Sequence, residues 1–304
     1  LGDQEDVTFQ DLSFKVNLPG TKAGTFSLWG LGGRNTYTYT PQTEFGEWDF
    51  EDNTQTLAVG GLSHIAYINK DTYLSSVISY SHYDTQSEFD SLRIRVLENE
   101  EVQEIALRFS STLNHIFVAI YSVRVGAIVS NLSYNLTADE WIRQLNRSVT
   151  FLDEDGSTQF YQGFGNWQHR VNQNITFNAG IHGSYFALNE DLYIEPRVGM
   201  RWAVSPGKTI TAGAGLHSRM ETLALYNAQQ PTSEGTFVQH NKDLGFTRAA
   251  HAVLGYEWML KSNLRFKSEV YYQHLYDVPI WPTDTTNNDF LNTFSILNTF
   301  DGWS

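Results

Sequence analysis

Asn263-Leu264-Arg265-Phe266-Lys267-Ser268-Glu269-Val270-Tyr271-Tyr272-Gln273-His274-Leu275-Tyr276 alternates two chemistries almost without a break. Leu264, Phe266, Val270, Tyr272 and Tyr276 fall on one parity; Arg265, Lys267, Glu269 and Gln273 fall on the other. Side chains on a strand change face at every residue, so this period predicts a strand with one apolar and one charged face. Its length is well beyond the roughly 5–6 residues usual in soluble sheets and sufficient for the about 9–11 that cross a bilayer at a tilt.

The pattern recurs along the chain in pairs of candidate strands. These are 7–18 with 24–34, 56–68 with 72–84, 104–115 with 121–134, 158–170 with 174–186, 191–203 with 208–219, and 247–260 with 263–276. Tight turns join the members of each pair, among them Asn69-Lys70-Asp71, Asn172-Gln173, Lys261-Ser262 and Ser205-Pro206-Gly207-Lys208, where Pro before Gly suits a type II turn. Between pairs, the segments 35–55, 85–103, 135–157 and 220–246 read as long polar loops, with Leu188-Asn189-Glu190-Asp191 as a short exception. Alternation of tight turns with long loops predicts an all-β, antiparallel up-and-down transmembrane barrel of about a dozen strands, turns on the periplasmic side and loops outside. Tyr67, Trp202 and Trp258 lie just before tight turns and are expected to form a periplasmic aromatic girdle.

Composition is compatible with this. The 304 residues include no cysteine and carry a formal net charge of −14. No run approaches the roughly 18 apolar residues of a membrane helix, the best being Ile116 to Ile120. A mean hydropathy of −0.35 does not argue against a barrel, in which only alternate residues meet lipid. The acidic balance argues against nucleic acid as a partner. The chain opens on Leu1-Gly2-Asp3 without a signal peptide, which is expected to be a cut rather than a natural start.

The parity opposite the apolar face is strongly polar: Glu195, Arg197 and Arg201; His217 and Arg219; Thr176, Asn178 and His182; Glu257, Arg265, Lys267 and Glu269. A small packed core could not bury these charges cheaply, so a wide, wet or plugged lumen is expected. No enzyme signature is present, and neither a metal site nor a cofactor is expected. Gly207-Lys208-Thr209 resembles the end of a phosphate loop, but Trp202 stands where its first glycine belongs. Asp153-Glu154-Asp155-Gly156 lacks the spacing of a calcium loop. His182, His217 and His251 are scattered, and read as lumen hydrogen-bonding groups. Aromatic residues in or beside loops, namely Tyr37, Tyr39, Phe45, Trp48, Trp141, Tyr226, Phe237, Tyr276 and Trp281, either bind ligand at the mouth or pack the loops together.

Several segments resemble TonB-dependent outer-membrane receptors. They include Ile194-Glu195-Pro196-Arg197-Val198-Gly199-Met200-Arg201-Trp202, Gly213-Ala214-Gly215-Leu216-His217-Ser218, Val253-Leu254-Gly255-Tyr256-Glu257-Trp258 and Tyr271-Tyr272-Gln273-His274-Leu275-Tyr276-Asp277-Val278-Pro279. The resemblance is to the C-terminal part of the 22-stranded barrel, in the subgroup with a carboxypeptidase-regulatory-like domain before the plug. It implies that residues 1–304 are a partial barrel domain, without its plug and terminal strands, in the outer membrane of a Gram-negative cell. It further implies capture of a scarce nutrient (chelate, vitamin, glycan or peptide) at the loops and import with energy from TonB, reached through a plug outside this chain. The expected ligand contacts are Tyr37, Tyr39, Trp48, Trp141, Tyr226, Tyr276 and Trp281 with His217 and Arg219 of the upper lumen. Arg197 and Arg201 are expected to organise the lumen or meet the plug. Two other readings fit the residues: a complete outer-membrane channel of about 12–14 strands, and a soluble all-β binding module.

Overall fold

The computed structural model describes residues 4–40, 49–91, 95–118, 120–143, 145–231, 237–280 and 298–303. Ten strands follow one another as hairpins: β1 (Gln4–Thr21), β2 (Gly24–Thr40), β3 (Asp49–Asn69), β4 (Thr72–Ser91), β5 (Arg95–Val118), β6 (Tyr121–Ile142), β7 (Arg147–Arg170), β8 (Ile175–Phe186), β9 (Asp191–Ser205) and β10 (Lys208–Arg219). A short helix, α1 (Leu223–Asn227), and a two-stranded ribbon, β11 (Gln230–Pro231) with β12 (Phe237–Val238), come next. Then follow β13 (Thr247–Lys261), β14 (Leu264–Ile280) and β15 (Asn298–Trp303). Thirteen strands form one antiparallel sheet in sequence order, β13 pairing directly with β10. All twelve expected strands are present, and β15 is a further one. Among the described residues β1 and β15 pair with no strand on their outer sides, so the sheet is an open wall.

The register makes the two faces chemically distinct. Val16, Leu28, Leu62, Ile78, Phe109, Val129, Tyr161, Tyr185 and Leu192 lie opposite one another in turn, one on each strand from β1 to β9. Each of these nine is between 36% and 66% exposed. An uninterrupted apolar row across nine strands is what a wall bathed in lipid requires, because every backbone group is paired sideways and only side chains meet hydrocarbon. One glycine of the outward face, Gly30, is covered by a neighbouring ring. Phe14 lies opposite Gly30, and a Cβ there would sit 2.5 Å from the Phe14 ring. The opposite face carries the polar side chains and the buried core.

At the short turns the local chemistry is as expected. Gly207 has φ +76°, the left-handed conformation that Pro-Gly type II turns place on glycine. Trp202 and Trp258 share the apolar parity, with Lys208 Nζ 4.9 Å from the centre of the Trp258 ring. Tyr67 does not. It lies opposite Tyr73, which lies opposite Asn114, and this row is on the inner face. β3 carries apolar residues on both faces, Leu57, Val59 and Ile65 inward and Leu62 outward, so its periodicity does not identify the lipid side.

The loops also differ from expectation. Most of 35–55, 85–103 and 135–157 is strand, and β5 and β7 each reach 24 residues. Where both faces of the wall meet water, apolar alternation lapses while backbone pairing continues. At about 3.4 Å per residue these strands extend roughly 80 Å, against roughly 40 Å for the 12 residues of β8 or β10. The wall is tall from β3 to β7 and low from β8 to β10.

Candidate functional site

Residues 220–231 and 237–246, within a segment expected to be an open loop, instead fold onto the inner face and make the main hydrophobic core. Leu223, Tyr226 and Phe246 from this strap pack with Val102, Leu136, Ala138, Leu152 and Phe186 from β5 to β8. Phe246 stacks on Tyr193 with centroids 4.4 Å apart, and its backbone N–H donates to the Tyr193 hydroxyl at 2.8 Å. Polar anchors flank the core. Gln229 and Gln239 both donate to Glu154 Oε1, at 3.2 and 2.6 Å. Thr247 Oγ1 donates to Glu221 Oε1 at 2.5 Å. A segment rich in amides and acids can bury this much only because its few apolar residues converge on rings offered by the wall.

Tyr226 is therefore not a free ring at the mouth. It is fully buried, accepts a hydrogen bond from the Glu221 N–H at 3.3 Å, and burial pushes its phenol well above the ordinary value. The expectation that it contacts ligand is replaced by a role in holding the strap.

Below the strap the inner face is a connected polar surface. Glu195 of β9 is 6% exposed and accepts from Arg197 Nη2 at 3.0 Å, from the Ser218 N–H at 3.1 Å and from Ser218 Oγ at 2.5 Å. His182 Nδ1 lies 3.2 Å from Glu195 Oε2, and Gln162 Nε2 lies 3.4 Å from the other ring nitrogen of His182. Four strands, β7 to β10, meet in this cluster, and a buried carboxylate so fully engaged fixes their relative register. Towards the short turns, Arg197 also lines a cavity of about 700 Å³ with Tyr73, Asn114, Arg124, Gln168 and Asn178. Arg201, Glu257, Arg265, Lys267 and Glu269 continue the inner face. Arg201 Nη2 donates to Thr209 Oγ1 at 3.3 Å, Arg265 Nη2 pairs with Glu257 at 2.8 Å, and Lys267 pairs with Glu269 at 2.8 Å.

The expected ligand contacts are not all brought together. His217 joins Arg197, His251, Tyr271 and Gln273 around a second cavity of about 390 Å³, its ring 4.7 Å from that of His251. Arg219 is exposed, with Nη2 3.6 Å from Glu221. Tyr37 and Tyr39 stand on the extension of β2, opposite Asn53 and Glu51 of β3. Trp141, near the tip of β6, is covered by the Arg95 guanidinium at 4.6 Å. Tyr276 shares the Arg248 guanidinium with Tyr193, at 5.4 and 5.1 Å, while Arg248 pairs with Asp277 at 3.0 Å. Trp48 and Trp281 lie outside the described residues. Sequence reading passed over Arg108, Gln162, Tyr193 and Arg248, each isolated in its own strand and meaningful only through cross-strand neighbours. Among the described residues no group of His, Asp and Glu is arranged to hold a metal ion.

No protein-family model matches the chain, and no curated protein matches it by sequence. Solved structures do match. The siderophore receptor PirA from Pseudomonas aeruginosa superposes with a TM-score of 0.61 at 13% identity, over 98% of this chain and 57% of its own. The copper transporter OprC gives a TM-score of 0.61 at 8% identity, over 92% and 54%. The ferric-catecholate import receptor Fiu of E. coli K12, in its open form, gives 0.61 at 8% identity, over 90% and 49%. The chain thus spans about half the length of the solved receptors it matches. Thirteen neighbouring strands in sequence order, an apolar outer row, a charged inner face and these superpositions agree: the chain has the fold of the barrel wall of TonB-dependent outer-membrane receptors.

Proposed function

We propose that this chain forms part of the wall of an outer-membrane receptor that imports a scarce nutrient. The observation that carries the reading is the division of one sheet into an apolar outer face and a hydrogen-bonded, charged inner face, with a strap folded inward over the mouth. Lipid satisfies the first face. A hydrated lumen, or a polar plug seated in it, satisfies the second, and Arg197 and Arg201 are the groups best placed to meet a plug. The solved neighbours are named as a siderophore receptor, a copper transporter and a ferric-catecholate importer, which supports import as the task. In this reading further wall strands and the plug come from outside residues 1–304, and TonB supplies the energy for passage.

The test is uptake by cells. A strain lacking the receptor is expected to lose growth on its limiting nutrient, and the complete receptor to restore it only when the TonB system is intact. Restoration in a TonB-deficient strain, with ion conductance in planar bilayers, would instead identify a passive channel.

A further inference from the structure

Between the first turn of the strap and the inner face of β3 to β7 lies a cavity of about 330 Å³ that none of the expected site residues lines. Its floor is small. Ser81 and Ala106 lie opposite each other on β4 and β5, and Met220 to Leu223 form the roof. Glu104 and Arg108 flank Ala106 on the same face of β5, two residues to either side, so their Cα atoms are about 13 Å apart. At that spacing the two side chains do not pair with each other. Among the described residues Glu104 has no hydrogen-bond or ion-pair partner. Arg108 uses only its Nε, donating to Ser130 Oγ at 3.0 Å, which orients the guanidinium and leaves its terminal nitrogens free. Tyr83, Leu132 and Phe160 supply apolar walls beside this axis.

We infer that this cavity binds a small zwitterion with an apolar body, a short peptide, with its ammonium group at Glu104 and its carboxylate at Arg108. The inference rests on the import reading and names a ligand class for it. A planar guanidinium with two free nitrogens suits a carboxylate in bidentate fashion, and the unpartnered Glu104 carboxylate suits an ammonium, whereas Glu221, the cavity's other carboxylate, is already held by Thr247 Oγ1 and Arg219. The rings then accept side chains between the charges. A volume near 330 Å³ falls at the lower end of small-molecule sites, roughly 300–1,000 Å³, which limits the occupant to a few residues. A ligand of one charge would leave either Glu104 or Arg108 unmatched, and an apolar ligand would leave both.

The experiment is calorimetry on the complete receptor in detergent, with Ala-Phe-Ala as probe beside its N-acetylated and C-amidated forms. The free peptide is expected to bind, and either cap to weaken it at least about tenfold, roughly the worth of one charge-assisted contact. Arg108→Gln is expected to abolish the distinction between acid and amide, and Glu104→Gln that between free and acetylated amine. Equal binding of capped and free peptides, or no binding at about 10 mM, overturns the inference without any variant having to fold. If that happens while cells still need the receptor and TonB for growth, the peptide assignment falls alone. Loss of that growth requirement would remove the import reading beneath it.

Discussion

Removing the Phe246 ring should release the strap while leaving the wall intact. Phe246 is 1% exposed, stacked on Tyr193 at 4.4 Å and within 6.0–6.1 Å of the Phe186 and Phe160 rings. Phe→Ala at such a site costs about 3–5 kcal/mol, the lost burial plus the cavity left behind. The Tyr193 side of that cavity belongs to β9, where Tyr193 is held opposite Ser184 of β8, so it cannot collapse inward to recover much. The strap, by contrast, is held by this core and a few side-chain hydrogen bonds, so the cost should fall on its own docking equilibrium. At about 1.4 kcal/mol per decade, opening becomes roughly 100 to 4,000 times more frequent. The assay is amide hydrogen exchange on the complete Phe246→Ala receptor in detergent. Amides of Leu223–Asn227 are expected to lose protection by that factor, while those of β9 between Ile194 and Trp202 keep theirs. Unchanged exchange in α1 would refute the view that this aromatic cluster holds the strap. Equal loss in α1 and β9 would refute the view that strap and wall open separately.

Three further outcomes follow from the geometry. Glu195→Gln should lower the thermal unfolding midpoint of the barrel, since charged hydrogen bonds are worth about 1.5–3 kcal/mol each and this carboxylate accepts three; a midpoint equal to wild type would mean the cluster does not hold β7 to β10 together. Val270→Lys, on the lipid face and 70% exposed, should cost about 2–4 kcal/mol in bilayer refolding, whereas Lys267→Ala on the inner face should change it by no more than about 0.5; reversed costs would exchange the two faces. Burial, and secondarily Glu98, raise the Glu140 carboxyl above its ordinary value, so the folded form binds this proton more tightly than the unfolded one. Stability contributed by the protonated form is therefore lost as pH rises from the ordinary glutamate range through the raised value. Glu140→Gln should flatten that fall in urea midpoints measured between about pH 4 and 7, and an unchanged slope would count against it.

The part of the wall that touches lipid was legible because lipid on one side and water on the other impose alternation residue by residue. β14 shows it most clearly, and ten of the twelve expected strands lie wholly within strands of the structure, the other two starting one residue early at Asn174 and Asn263. Where both sides are wet the signal ends, so the upper reaches of β2 to β7 read as loops although backbone pairing continues through them. Tyr67 was misassigned for a related reason: β3 has apolar residues on both faces, and parity then carries no direction. The inner charges Glu195, Arg197, Glu257 and Lys267 could be placed from period alone. Their partners could not, because Ser218, His182 and Gln162 become neighbours only through register. The strap was least legible. Tyr226 ends the short apolar run Leu223-Ala224-Leu225 and Phe246 stands between Gly245 and Thr247, and neither setting distinguishes a ring that faces solvent from one received by Phe186 and Tyr193.

The difference in height around the wall gives the entrance a lip and a spout rather than a level ring. Strands of about 20–24 residues screen one side, and strands of 12–15 leave the other low, with the strap laid across as a sill. On the import reading proposed above, a solute close to the cell surface would reach the lumen over that sill without climbing the tall hairpins. The sill would then act on size as well as affinity, because whatever cleared it would already have been measured against Met220 to Leu223. Lowering it should admit bulkier cargo before it weakens the hold on the right one.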